Sequence, residues 1–212
     1  MEKLKIGLIG LGQRGAAYGM TDGSIGLLGN ILNNSDVLVT ALCDGYEERI
    51  KFAAEKVMAA GQKKPLETKD YNEVLSSEVD AVIVCTSWAS HVEVALAAME
   101  KGIAVAIEVG GTHNLGDMQK LVDTYERTKT PFMFLENCCY NKDELLVTSL
   151  ARNGKLGEIS YCHGAYCHDL RNEITEVGLK RGHYRLEEYK NHNCENYPTH
   201  EFGPIVKLLG IT

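Results

Sequence analysis

"KIGLIGLGQRG", residues Lys5–Gly15, decides the fold. Its first half is a short apolar run, too brief for a buried helix and suited to a buried strand. Its second half supplies Gly10-x-Gly12-x-x-Gly15. Glycines at this spacing after a strand permit a tight turn, a close approach of backbone to a pyrophosphate, and tight packing of the next helix. That helix would offer unpaired N–H groups and a positive dipole end to the phosphates. Glycine-rich turns are common, so the weight of the motif rests on what surrounds it.

Outward from this stretch, "VLVTALCD", "DAVIVCTS", "IAVAIE" and "FMFLEN" are further short apolar runs bounded by Gly, Asp or Ser. They read as strands buried on both faces, as a parallel sheet requires. Amphipathic stretches separate them. Glu47 to Ala60 is a helix closed by Gly61; Ser90-His91-Val92-Glu93 reads as a capping box opening a helix through Met99. Asn114 to Thr128 is a third helix, and Asn141 opens a fourth that stops at Gly154. This alternation predicts an α/β fold, a Rossmann doubly wound parallel sheet. Beyond Gly154 the texture changes. "EISYCHGAYCHDL" reads as a longer strand of mixed faces, and a Tyr-, Asn- and Gly-rich region follows. The expected division is 1–138 for the nucleotide-binding domain and 139–212 for the beginning of an incomplete α+β substrate domain.

The formal charge of −7 and the absence of any Lys/Arg run argue against nucleic acid or an anionic membrane as partner. No apolar stretch approaches the ~20 residues of a membrane span. The apolar run after Lys3 and Lys5 is too short for a secretion signal. Seven scattered cysteines without such a signal lead us to expect reduced thiols and a cytoplasmic protein.

The second apolar run ends in Asp44, where an acid binds the adenosine ribose hydroxyls in dinucleotide folds. It lies 29 residues beyond Gly15, further than the usual ~20; the insert "GMTDGSIGLLG" accounts for the excess. A strand-end turn residue is the other reading of Asp44. A carboxylate there would repel a 2′-phosphate, so NAD is expected rather than NADP. "TSWASH", "EVGGTH" and "ENCCY" follow later strands, at the carboxyl ends where ligands of such sheets bind. Trp88 and His91 either flank the cofactor or serve as loop and helix packing, and the sequence leaves both readings open.

Near the end, "NYPTHEFGP" (Asn196 to Pro204) places Tyr197 and His200 three residues apart before an apolar run. Packing is one reading. Proton transfer by His200 is the other, since an unperturbed imidazole titrates near pH 6.5. His200 lies in the first turn of the closing helix or, if Pro204 is its first residue, in the loop before it. Cys162, His163, Cys167, His168, His183, His192 and Cys194 invite a zinc reading, but no spacing among them is a zinc pattern, and no metal is expected. Cys138 and Cys139 read as small buried hydrophobes.

"GLIGLGQRG", "ALCD", "TSWASH", "EVGGT", "LENCCYNKDEL", "GAYCHDLR" and "NYPTHEFGP", taken in order, resemble the NAD-dependent glycoside hydrolases of family 109, typified by α-N-acetylgalactosaminidase, within the Gfo/Idh/MocA oxidoreductase superfamily. The resemblance implies that Gly10, Gly12, Gln13, Arg14, Gly15, Asp44, Trp88, Ala89, Ser90, His91, Glu108, Val109 and Asn137 hold NAD. It implies that Tyr166, Arg185, Tyr197, Pro198, Thr199 and His200 line a sugar pocket, with His200 and Tyr197 catalytic. The superfamily's sugar dehydrogenases usually carry Glu-Lys-Pro where this chain has Glu108-Val109-Gly110, and valine moves no proton. The implied reaction is transient oxidation of a sugar hydroxyl, elimination of the aglycone, water addition and re-reduction, with no net oxidation. An NAD-linked sugar dehydrogenase and a non-catalytic NAD- or sugar-binding protein are the alternatives. Family members continue for about another domain's length, so the chain is expected to need a homo-oligomeric partner or the missing domain as cover.

Overall fold

The structure, a computed structural model, describes residues 2–180, 182–192 and 198–211. The chain divides into two compact units, Met1–Phe134 and Leu135–Thr212.

The first unit runs β1 (Leu4–Ile9), α1 (Gln13–Ala16), α2 (Gly26–Leu32), β2 (Val37–Cys43), α3 (Glu47–Ala59), β3 (Leu66–Thr68), α4 (Tyr71–Val74), β4 (Ala81–Val84), α5 (Trp88–Glu100), β5 (Ala104–Ile107), α6 (Leu115–Thr128) and β6 (Phe132–Phe134). The strands form one parallel sheet in the order β3-β2-β1-β4-β5-β6. This is the doubly wound order, with the reversal at β1 and β4, where such folds bind their ligand. All five quoted apolar runs become strands. Successive residues of β1 serve opposite faces. Leu8 joins a core with Leu28, Ile50, Ala53 and Val57; Ile9 joins one with Val84, Val92, Ala95 and Ile107. A register shift between Ile6 and Gly7, whose partners on β2 are Val39 and Ala41, inserts Thr40 as an extra residue. The two sides of the bulge thus send Val39 to one core and Ala41 to the other.

Local readings needed revision in three places. The helix after Gly12 is a single turn of four residues, ended by Ala17 in the left-handed conformation (φ 57°). The chain then resumes as α2, which starts inside the glycine-spotted insert and runs three residues past it. Helix α5 opens at Trp88 with Ser87 as N-cap, three residues before the expected cap at Ser90. Ser90 does not cap it: its hydroxyl bonds backward, to Thr86 Oγ1 at 2.8 Å and Ser87 O at 3.1 Å.

In the second unit a 3₁₀ turn, Cys138–Tyr140, leads into α7 (Lys142–Arg152). A π turn, Glu173–Val177, is followed by α8 (Gly178–Lys180), α9 (Arg185–Asn191) and α10 (Pro198–Leu209). The strand expected in "EISYCHGAYCHDL" does not form. Among the described residues this unit offers no second strand, so a strand there would leave its N–H and C=O groups unpaired. The segment instead passes close to α10: a Cβ on Gly164 would stand 2.9 Å from Glu201 O.

Candidate functional site

At the end of β1 the three motif glycines do different work. Gly10 has φ +94°, and a Cβ there would lie 2.4 Å from the Cys85 backbone. A Cβ on Gly15 would lie 2.0 Å from Gly10 O. Both are required by the fold itself. Gly12 is different: its φ is −73°, and an added Cβ would meet only Arg49 Nη1, at 3.7 Å. Among the described residues nothing crowds a side chain there, whereas a backbone-hugging phosphate would.

Asp44 is 7% exposed and clamps this turn. Its Oδ2 accepts from the Leu11 N–H at 2.7 Å and its Oδ1 from the Tyr46 N–H at 3.0 Å. Arg49 Nη1 lies 3.7 Å from Oδ1, and its guanidinium sits over the Tyr46 ring, 4.2 Å from the centroid. Arg49 was not singled out in the sequence. The signal for it is weak, an arginine one turn into the helix after the acidic strand end.

The turn after β5 is braced from two sides. Trp88 and His91 are each 1% exposed. The indole Nε1 donates to Val109 O at 3.1 Å. The imidazole is held between Gly110 O, at 3.1 Å from Nδ1, and Thr86 O, at 3.1 Å from Nε2. Burial pushes the His91 pKa down, against the pull of the two carbonyls. Gly110 and Gly111, both at positive φ, let the chain pass directly over these rings. Glu108 accepts from Arg14 Nε at 2.6 Å, tying this turn to the glycine loop. Gln13 and Ser90 are partly buried, Ala89 is exposed, and Val109 is 6% exposed.

In the second unit His200 is the third residue of α10, which runs on through Pro204. Pro204 lacks the N–H that would bond the His200 carbonyl, yet the helix continues. The His200 side chain is only 6% exposed. Its Nδ1 lies 2.7 and 2.9 Å from the two carboxylate oxygens of Glu136. Glu136 also accepts from the Cys138 N–H at 2.8 Å. Burial alone would push the Glu136 carboxyl up; hydrogen bonds from its neighbours, His200 and the Cys138 amide among them, outweigh it and hold it below the usual carboxylate range. A carboxylate at Nδ1 fixes that nitrogen as the donor, so the neutral ring carries its lone pair on Nε2. Gly203, one turn on, makes the approach possible, since a Cβ there would stand 2.8 Å from Cys139 Sγ and 3.2 Å from Glu136 Cγ. The Tyr166 ring lies 4.4 Å from the His200 ring and 4.4 Å from that of His168.

The structure therefore brings Tyr166 and His200 together. Pro198 and Thr199 open the same helix, Arg185 opens α9, and Asn137 is exposed at the N-cap of the 3₁₀ turn. Tyr197 lies outside the described residues. Glu136 was missed by sequence reading because its partner is 64 residues away, a separation no local pattern reports.

Residues 4–135 match the family model for the oxidoreductase family, NAD-binding Rossmann fold, and residues 140–212 match that for the glycosyl hydrolase 109 C-terminal domain. Glycosyl hydrolase family 109 protein 2 of Shewanella sp. strain ANA-3 is 32% identical over 216 residues, spanning 100% of this chain and 45% of its own length. The chain thus spans about half the length of such curated relatives. Among solved structures, myo-inositol 2-dehydrogenase of Lactobacillus plantarum superposes with a TM-score of 0.71 at 17% identity, over 99% of this chain and 57% of that one. The WlbA dehydrogenase of Bordetella pertussis, solved with NADH and UDP-GlcNAcA, gives 0.61 at 19% identity, over 74% of this chain and 42% of that one. At such identities the likeness shows the fold alone. The match over the first and larger part leads to one assignment: the chain belongs to the Gfo/Idh/MocA oxidoreductase family, and its later residues are similar to the glycosyl hydrolase 109 C-terminal domain.

Proposed function

We propose that this chain carries the cofactor-binding and proton-transfer machinery of an NAD-dependent glycosidase for an N-acetylgalactosaminide-like sugar. Bound NAD would supply a reversible acceptor for the hydride leaving the carbon that bears a ring hydroxyl, while the hydroxyl proton passes to solvent. Gly12, uncrowded by side chains, would leave room for the pyrophosphate, and Asp44, with Arg49 beside it, would meet the ribose. Oxidation of the hydroxyl acidifies the neighbouring C–H bond. His200 Nε2 takes that proton, because Glu136 holds the other ring nitrogen as N–H. The Glu136 carboxylate, already ionised, then stabilises the imidazolium. Loss of the aglycone, addition of water and return of the hydride complete the cycle. Tyr166, with its ring against His200, offers an aromatic face to the sugar. Arg185 offers a fork of N–H donors to sugar oxygens, and Tyr197 a hydroxyl to the leaving group.

The observation that carries this reading is the Glu136–His200 pair together with valine at position 109. Proton transfer falls to the histidine because the lysine of the sugar dehydrogenases has no counterpart. Incubation with NAD+ and an aryl N-acetylgalactosaminide tests it. Release of the aryl group without build-up of NADH is the expected result. Steady NADH production would instead establish a dehydrogenase, and NAD binding with neither product a binding protein.

A further inference from the structure

We propose that Glu136, Cys138 and His200 form a binding site for a zinc-like divalent cation, and that occupancy silences the histidine as a base. One ligand atom from each of the three lies within 4.8 Å of the others. Zinc bonds of about 2.0–2.3 Å to N, O and S place neighbouring ligands about 3.3–3.6 Å apart in a tetrahedron. Small torsional changes close that gap from the sulfur side, while the Nδ1–carboxylate contact of 2.7 Å opens to admit the ion. The donor set is mixed thiolate, imidazole and carboxylate, which suits zinc over magnesium or calcium. A fourth position is left for water, as in an open zinc site. Supporting groups are in place. The Glu136 carboxyl is already ionised, and its backbone bond from the Cys138 amide fixes the turn. The Cys138 thiol is free, and without metal it stays protonated, its pKa pushed up to about 11 by burial and by the nearby carboxylate. A coordinated thiol loses its proton outright.

The chemistry balances simply. The cation takes the Nδ1 lone pair, the imidazole proton moves to Nε2, and the thiol releases one proton to solvent. A neutral imidazole metallated at Nδ1 has no lone pair left at Nε2, so it accepts no proton from a substrate. The binding claim stands by itself; the silencing rests on the proposed role of His200.

The test uses the full chain and the metals alone. Cobalt(II), a spectroscopic stand-in for zinc, should bind one per chain and give a thiolate-to-cobalt charge-transfer band in the near ultraviolet, lost on adding zinc. Cys138→Ser should abolish that band and weaken zinc binding more than about 10-fold. Cys139→Ser should keep both. Absence of the band in the unaltered protein, or its persistence in Cys138→Ser, overturns the site. A separate arm measures aryl-glycoside cleavage with and without zinc. Zinc inhibition that Cys138→Ser relieves supports the silencing. Binding without inhibition overturns the silencing and leaves the site standing.

Discussion

Substituting Gly12 by alanine separates what the fold needs from what a ligand needs. In the free protein the new methyl meets nothing nearer than Arg49 Nη1 at 3.7 Å, an ordinary van der Waals distance. The backbone at φ −73° suits alanine. Stability should therefore stay within about 0.5 kcal/mol, or rise slightly because the unfolded chain loses freedom. A pyrophosphate lying against the Gly12 backbone would be forced outward by that methyl. Overpacking of this kind costs about 1–3 kcal/mol, which weakens NAD affinity about 5- to 150-fold. Gly10→Ala behaves oppositely. It places a Cβ 2.4 Å from the Cys85 backbone at φ +94°, and Gly15→Ala places one 2.0 Å from Gly10 O. Both should lower stability by at least about 2–3 kcal/mol before any ligand is added. Calorimetric titration with NAD+ gives the affinities, and thermal unfolding without it gives the stabilities. Undiminished NAD affinity in Gly12→Ala would refute the placement of the phosphates. A melting loss equal to that of Gly10→Ala would refute the claim that Gly12 serves only a ligand.

Other substitutions test the two halves of the proposed machinery. Glu136→Gln removes the charge that stabilises the imidazolium and should cut aryl release on the order of 10²-fold with little change in KM; an unchanged rate sinks the role given to the pair. Because burial depresses the His91 pKa, the folded ring stays neutral while the unfolded ring takes up a proton below about pH 6.5. The stabilisation is thus complete above that pH and is lost as pH falls through it. Melting curves should show a steeper acid loss for the unaltered protein than for His91→Asn, and an equal slope would contradict this. Trp88→Phe leaves the Val109 carbonyl without its 3.1 Å donor and should cost about 1–3 kcal/mol, seen as a lower melting temperature.

The first unit was legible because its information is local. Apolar runs of strand length, glycines at fixed offsets and an acid at a strand end all lie within a few residues of what they specify. Strand β3, Leu-Glu-Thr, escaped because it holds one large apolar residue and so forms no apolar run, unlike the equally short Phe-Met-Phe of β6. The start of α5 was misplaced because Ser90 bonds back to Ser87 and Thr86, a choice the sequence pattern does not distinguish from capping. In the second unit, the alternation around Tyr166 looked like a strand. A strand is a property of a pair, and the pattern names no partner. Position 166 nevertheless meets His168 two residues on, and His200 well beyond any window.

The glycosyl hydrolase reading turns on which atom can move a proton. Beside the glycine loop, the polar atoms of Trp88 and His91 bond the backbone of the turn after β5, and Glu108 bonds Arg14. Val109 contributes backbone groups, its carbonyl as acceptor to Trp88 and its N–H as donor to Glu108. These groups shape the turn. A buried histidine held by an ionised carboxylate is a different object. The carboxylate selects the tautomer, orients the ring and offsets the charge the ring acquires on accepting a proton. Glu136 does all three for His200 from across a turn that Gly203 keeps tight. Packing alone gives no reason to place both oxygens of a carboxylate against Nδ1 of a buried imidazole, since an apolar side chain would fill the space at lower desolvation cost. A proton carrier does require one. That is why the proposed proton transfer rests on the pair more than on the nucleotide fold it accompanies.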